Sequence, residues 1–363
     1  MRSSYFTILI IALLLAAIGI FSIYSTTYQK EGRLWQEIYK RQLLWAVIGL
    51  ALFTLMSCLN YRRLWEWTYF LYIIALLFLL LVFLLGAVRL GAQRWLKVAW
   101  FNFQPSEFAK IIILIFLCRY FSGKSVNDIS FASAKFGIWR GLLLPFLLVA
   151  VPALLIIEQP DLGSGAIILI LFIALLCLTG LKLRYILLFL GVLLAAMPFL
   201  WHLLRAYQKE RLLVFLNPNI DPLGAGYTVI QSKIAIGSGG FLGKGWLAGT
   251  QSQLHFLPES HTDFIFATFT EEWGLLGSVA LLALYYLLIR LGFSIARRSR
   301  DYFGKLLALG ISLMLGIQVF INIAMNLGLA PVVGVPLPLL SYGGSSMLAT
   351  FISLGILASI SRT

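Results

Sequence analysis

The sequence predicts an all-α polytopic membrane protein: about ten transmembrane helices in one integral-membrane domain spanning 1–363, with a long, partly helical extracytoplasmic loop at 202–262 between spans seven and eight. Three observations predict it. Of 363 residues, 61% are hydrophobic and only 12% charged, with a mean hydropathy of +0.94. A soluble domain carries roughly 25% charged residues, and half that charge cannot cover a chain of this size in water. The apolar residues fall in runs of about 20, the length an α-helix needs to cross hydrocarbon. Lysines and arginines gather in the short connections between those runs. A soluble enzyme, a disordered chain and a disulfide scaffold are excluded by composition.

Taken in order, the spans are 5–24, 42–58, 67–87, 105–121, 141–157, 164–180, 184–201, 263–290, 306–327 and 342–361. The first has only Arg2 ahead of it and no small-residue cleavage pattern after it, so it reads as a retained anchor. With the N-terminus inside, Arg62, Arg63, Arg119, Lys124, Lys135, Arg140, Lys182, Arg184, Arg297, Arg298, Arg300, Lys305 and Arg362 all face the cytoplasm. That is the positive-inside pattern, and it puts both termini in the cytoplasm. The net charge of +14 therefore reflects topology and anionic lipid, with no soluble module to hold a nucleic acid. Cys58, Cys118 and Cys177 lie in or beside apolar runs without metal-ligand spacing and read as packing residues.

Three outer segments break the charge rule: 25–41 (Lys30, Arg33, Lys40, Arg41), 88–104 (Arg89, Arg94, Lys97) and 202–262 (Arg205, Lys209, Arg211, Lys233, Lys244). Cations on the outer face against the topological bias point either to an anionic ligand or to lipid headgroups. The segment 88–104 is too short and polar to span, and Trp95 and Trp100 fit an interfacial lie. The 202–262 stretch alternates turn signals with apolar pieces, which suggests short interfacial or re-entrant helices folded onto the bundle. Prolines and glycines between 327 and 344 forbid a continuous helix there and place Ser341, Tyr342, Ser345 and Ser346 at the restart. No internal repeat is visible.

Several polar residues at span starts admit two readings. Glu259, His261, Asp263, Glu271 and Glu272 gather at the opening of span eight. Helix-dipole stabilisation accounts for one carboxylate; the group also suits a general base at the edge of a low-dielectric cavity. Glu107 and Lys110 share a helix face three residues apart, as an internal ion pair or as an intramembrane cation aimed at phosphate. Asp161 before Gly163-Ser164-Gly165 reads as an N-cap. Arg205, Lys209 and Arg211 near Tyr207 read as an interfacial helix or as a phosphate site, since guanidinium donates two parallel hydrogen bonds.

The motifs "GAQRWL", "FQPSEFAK", "EQPDLGSG", "FLNPNIDPLGAGYTVIQSKIAIGSGGFLGKGWLAGTQSQLHFLPESHTDFIFA" and "APVVGVPLPLLSYGGSS" run through almost the whole chain. On them the sequence resembles the SEDS (shape, elongation, division and sporulation) family, with "GSGGFLGKGWLAGTQSQ" looking like its elongation branch. The resemblance implies a multi-pass enzyme of the bacterial cytoplasmic (inner) membrane. Such an enzyme is a peptidoglycan glycosyltransferase that polymerises lipid II, an undecaprenyl-diphosphate disaccharide-pentapeptide, into β-1,4 glycan strands during cell-wall elongation. It implies that Asp263 is the essential catalytic aspartate, and that Arg94, Glu107, Lys110, Asp161, Gln208, Arg211 and Lys233 line its polar cavity. His261, beside Asp263, is a further substrate-binding candidate. A divalent cation, magnesium or manganese, is compatible with that chemistry. The implied partners are a class B penicillin-binding protein transpeptidase and an MreB-type elongation complex. The rival readings are a lipid II flippase and a non-catalytic scaffold that activates the transpeptidase.

Overall fold

The computed structural model describes residues 2–28, 37–89, 92–98, 101–123, 139–178, 183–222 and 224–362. Lys30, Arg33, Trp100, Lys124, Lys135 and Lys182 lie outside them. The helices stand where the apolar runs place them. These are α1 (Arg2–Thr27), α2 (Ile38–Cys58), α3 (Arg62–Leu85), α4 (Pro105–Ser122) and α5 (Leu144–Glu158, after a π-turn at Trp139–Leu143). Next come α6 (Leu162–Leu178), α7 (Leu183–Leu203), α8 (Ala206–Leu216), α9 (Ala225–Ser238), the single turn α10 (Thr250–Gln253), α11 (Ile265–Arg298), α12 (Tyr302–Asn326) and α13 (Gly344–Arg362).

Seven of these are long and apolar enough to cross a membrane by length and composition: α1, α2, α3, α5 with its π-turn, α11, α12 and α13. The helices α4, α6 and α7 occupy the other three expected positions. Among them α4 carries Glu107, Lys110 and Arg119 in 18 residues, and α6 is 17 residues long. The expected extracytoplasmic loop is partly helical, as α8, α9 and α10.

The departure from an all-helical chain is small. Where an interfacial segment is expected at 88–104, three antiparallel strands form a sheet in the order β1-β2-β3: β1 (Ala87–Arg89), β2 (Ala92–Val98) and β3 (Phe101–Phe103). Its register pairs Lys97 with Asn102 and Val98 with Phe101. The physical reason is alternation, since successive strand side chains point to opposite faces. On β3, Phe101 and Phe103 pack on Trp45, Phe78 and Phe108, with ring centroids 4.6, 5.7 and 5.0 Å apart. The sheet is thereby fixed to α2, α3 and α4.

The core centres on α13, which packs along α2 with small residues at the contact. An added Cβ at Gly355 would lie 2.7 Å from the Phe53 carbonyl oxygen, and one at Gly344 would lie 2.6 Å from the Trp45 ring. Without a hydrophobic drive between helices in lipid, close backbone approach of this kind supplies the dispersion contacts that hold them. At one end of the bundle three cations tie elements together. Arg362 donates to the Ser57 carbonyl and stacks on Tyr5, and Arg119 donates to the Trp65 carbonyl over the Trp65 and Tyr69 rings. Arg62 pairs at 3.2 Å with Asp301, which also caps α12 through Gly304 N. The start of α1 and the finish of α13 therefore share that end.

At the other end two helices are broken. Gly274 interrupts α11 with φ 63° and ψ −162°, a conformation glycine adopts without a Cβ clash. The segment after α9 crosses this break. Lys244 N and Gly245 N donate to the Glu271 and Glu272 carbonyls (both 3.0 Å), while Leu275 N and Leu276 N donate to the Gly240 and Phe241 carbonyls (3.0 and 3.2 Å). Four backbone groups freed by the kink are satisfied by four from the loop, which is the condition for irregular backbone at membrane depth.

Gly355→Ala should push α13 off α2, because its methyl group meets main chain that cannot swing away. Thermal unfolding of the detergent-solubilised protein should show a loss of about 1–3 kcal/mol, the usual cost of overpacking.

Candidate active site

Asp263 sits two residues ahead of α11, at the end of a turn rather than inside the helix. Phe264 N and Thr262 N donate to the Glu259 carbonyl (3.3 and 3.1 Å), which curls the chain before the helix begins. Three successive carbonyls of this turn are held from outside. Tyr342 N reaches His261 O at 2.9 Å, Ser341 Oγ reaches Thr262 O at 2.6 Å, and Asn322 and Asn326 both reach Asp263 O. The carboxylate itself receives no hydrogen bond among the described residues and is partly exposed.

Around it stand Arg94 on β2, Arg211 on α8, Asp161 before α6 and Glu259 of its own turn, the charges that act on Asp263. Gly334, φ 72°, lies between two of them. A Cβ built there would be 3.4 Å from Arg94 Nη1 and 3.5 Å from Asp263 Oδ2. Burial, then the nearby Glu259 carboxylate, raises the Asp263 carboxyl to about 6, although the Arg94 and Arg211 guanidiniums pull it down and Asp161 pushes it up. Burial and the Arg94 charge lower Arg211 from its usual value. Arg94 donates to the Pro160 carbonyl and keeps its Nε buried with no protein partner. Arg211 donates to the Val332 carbonyl at 3.0 Å. Beside Arg211 opens an apolar cleft of about 240 Å³ walled by Ile157, Leu162, Leu169, Leu212 and Pro331.

The remaining candidates are placed differently. Glu107 and Lys110 form a buried ion pair at 2.7 Å, both almost without solvent contact. Asp161 is saturated: Ser106 Oγ and Gln104 Nε2 donate to Oδ2 (2.8 and 3.2 Å), and Ser164 N donates to Oδ1 (3.2 Å), the N-cap the sequence predicts. Gln208 accepts from Arg205 N at 2.9 Å and donates to the Tyr207 hydroxyl at 3.0 Å, so it closes the first turn of α8. Lys233, exposed on α9, rests against Gly328 and is not among the charges acting on Asp263. The His261 ring lies 5.8 Å from Tyr342.

The acidic group at the start of span eight is divided. Glu271 turns to the loop and takes Lys244 Nζ at 2.7 Å, Thr250 Oγ1 at 2.9 Å and Gln251 N at 3.1 Å. Glu272 accepts from Ser25 Oγ on α1. Both brace the broken helix through these contacts. Sequence reading missed Asn322 and Asn326, although two amides four residues apart on one face of an apolar span are a visible signal.

A carboxylate with a raised pKa, flanked by two guanidiniums and an apolar cleft, is suited to accept a proton beside a departing anion. Comparison with known proteins places this arrangement in a family. The model of the FtsW/RodA/SpoVE cell cycle proteins matches residues 5–363. The chain belongs to that family. It is 44% identical to the peptidoglycan glycosyltransferase MrdB of Escherichia coli K12 over 355 residues, covering 98% of this chain and 92% of that one. A chain of a solved peptidoglycan synthase complex that coordinates polymerization and crosslinking superposes with a TM-score of 0.81 at 35% identity, covering 98% and 96%. The crystal structure of the rod-shape-determining protein RodA of Thermus thermophilus superposes with a TM-score of 0.70 at 28% identity, covering 98% and 95%.

Two outcomes follow from the electrostatics. Between the ordinary carboxylate value and about 6, the folded chain holds a proton on Asp263 that the unfolded chain has released, so this group's contribution to stability falls as pH rises through that window. Asp263→Asn should therefore melt above wild type at pH 8, with the gap narrowing toward pH 4. For the pair in α4, Glu107→Leu alone should destabilise by about 3–5 kcal/mol by stranding Lys110, whereas adding Lys110→Met should recover most of it. Thermal melts of the four proteins give the comparison.

Proposed function

We propose that this chain polymerises lipid II into β-1,4 glycan strands at the outer face of the bacterial inner membrane, with Asp263 as the general base. The carrying observation is the Asp263 carboxylate, unbonded, raised to about 6 and set beside Arg94 across Gly334. Asp263 takes the proton from the 4-hydroxyl of the acceptor N-acetylglucosamine. That oxygen attacks the anomeric carbon of the lipid-linked donor sugar, the carbon–phosphate-oxygen bond breaks, and undecaprenyl diphosphate leaves with the bonding pair. The donor is α-linked and the product β-linked, so one inverting displacement needs one base and no carboxylate nucleophile. Arg94 and Arg211 hold the growing charge on the leaving diphosphate, an electrostatic contribution of the kind that is worth about 10²–10³-fold per donor. The apolar cleft beside Arg211 offers carbon-lined walls to the first isoprene units of the carrier.

Glu107, Lys110, Asp161 and Gln208 shape the cavity, since their polar atoms are engaged with other protein groups. Lys233, exposed on α9, and His261, two residues ahead of Asp263, remain candidates for contacts with sugar or peptide. Among the described residues no three His, Cys, Asp or Glu side chains converge, so a magnesium or manganese ion would be held by the diphosphate with one or two carboxylates and would add charge stabilisation there. The positive charge that the chain's own residues bring to the site comes from guanidiniums.

The elongation-branch motif and the identity to MrdB support a role in elongation. The match to a chain of a complex that coordinates polymerization and crosslinking supports a transpeptidase partner; the family resemblance implies that it is a class B penicillin-binding protein in an MreB-type elongation complex. The cations Arg62, Arg119 and Arg362 at one end support cytoplasmic termini, with Asp263 at the opposite face.

Labelled lipid II supplied to the purified protein with its transpeptidase should be polymerised by wild type, and Asp263→Asn should lose about 10²–10⁴-fold, the usual share of a general base. Wild-type activity should fall as pH drops through about 6, where the base becomes protonated. Equal polymer from both proteins would remove Asp263 from this role, and lipid translocation without polymer would favour a flippase.

A further inference from the structure

We infer that Asn322 and Asn326 are positioning residues for the reaction, a two-amide clamp on the main chain of Asp263 that aims its carboxylate into the cavity. The inference rests on the proposed role of Asp263 and adds the device that orients it.

The two side chains lie one turn apart on α12, both fully buried within an apolar span. A buried amide in such a place is costly unless its donors and acceptors are met, and here they converge on one atom. Asn322 Nδ2 donates to Asp263 O at 3.1 Å and to Val335 O at 2.8 Å. Asn326 Nδ2 donates to Asp263 O at 3.0 Å and to Asn322 O at 2.8 Å, and its Oδ1 accepts from Ala267 N at 3.2 Å. One carbonyl thus takes hydrogen bonds from two side chains of a different helix. One of those side chains also caps the first turn of α11, and the other holds the strand of chain beside Gly334.

Geometry gives this arrangement a role beyond holding two helices together. The 263–264 peptide plane is set by its carbonyl, and with it the direction in which the Cα–Cβ bond of Asp263 leaves the backbone. Among the described residues the carboxylate has no hydrogen bond of its own to orient it, so the backbone clamp is what defines its aim. Asn322 also holds the Val335 carbonyl, next to Gly334, where an added Cβ would lie 3.4 Å from Arg94 Nη1 and 3.5 Å from Asp263 Oδ2. Asn322 therefore ties the Asp263 turn to the segment that base and cation both approach. Four charged groups face the carboxylate: Glu259 from its own turn, Arg94 from β2, Arg211 from α8 and Asp161 from the start of α6. None of them touches the Asp263 carbonyl.

The test uses the full chain with its transpeptidase and lipid II, comparing Asn322→Leu, Asn326→Leu and the double variant with wild type and Asp263→Asn. Leucine keeps the volume and removes the donors. Each single variant, which retains one donor, should fold and bind the partner yet lose activity in kcat, with KM within about 2-fold; a misplaced catalytic group costs on the order of 10²-fold. The acid limb of the pH profile should move below wild type, because a carboxylate freed to turn toward solvent is less desolvated. Ser232→Ala, which removes a hydrogen bond to the Asn326 carbonyl without touching Asp263, should leave the acid limb in place. Folded single variants with wild-type kcat and an unmoved acid limb would overturn the clamp, as would a rise in KM alone. An active Asp263→Asn would instead overturn the role of Asp263 itself.

Discussion

The rest of the structure depends on one constraint: backbone polar groups at membrane depth must be paired within the protein. The Asp263 turn at the membrane edge is irregular, and irregular chain exposes carbonyls. Here the carbonyls of residues 261, 262 and 263 are taken in sequence by Tyr342 N, Ser341 Oγ and the two asparagines. The broken stretch between α12 and α13 is therefore both the site's wall and the partner that lets the turn exist. α12 closes at Asn326 ahead of Gly328 (φ 68°), and the proline-containing stretch beyond it brings Ser341 and Tyr342 to the Asp263 turn.

Within that frame, saturation separates the carboxylates by role. Asp161 accepts three hydrogen bonds and Glu271 accepts from a lysine, a threonine and a backbone amide; both are spent on structure. Glu107 is matched by Lys110 in the interior. Asp263 alone among these has guanidiniums near it and no hydrogen bond on it. Burial pulls its carboxyl upward and the two arginines pull it back, which leaves it close to neutrality, where a base is both available and strong enough to act.

Much of the fold is legible in one dimension. A membrane span is a run of apolar residues of fixed length, so ten helices stand within a few residues of the runs that announce them, and Asp161 ahead of Gly-Ser-Gly reads directly as a cap. The hairpin at 87–103 escapes because a seven-residue strand bearing Arg94, Trp95 and Lys97 looks like an interfacial segment when only hydropathy is weighed. In the site, Arg94, Arg211 and the acidic group around Asp263 are legible as charges at the outer face, and the family resemblance singles out Asp263 among them. Glu271 and Glu272 look equivalent to Asp263 by proximity in sequence, and only the crossing of the loop over Gly274 shows that they face elsewhere. Asn322 and Asn326 are visible as two amides on one face of an apolar span, but nothing in one dimension shows which distant carbonyl they meet.

The exchange at Gly274 has a mechanical corollary. Four hydrogen bonds join the glycine-rich stretch after α9 to the two halves of α11, so neither can slide without stranding donors and acceptors in a medium that offers no substitutes. Residues 240–245 and the two halves of α11 therefore move as one body, with the Asp263 turn at its leading end, so a force applied to this part of the outer loop is felt at that turn.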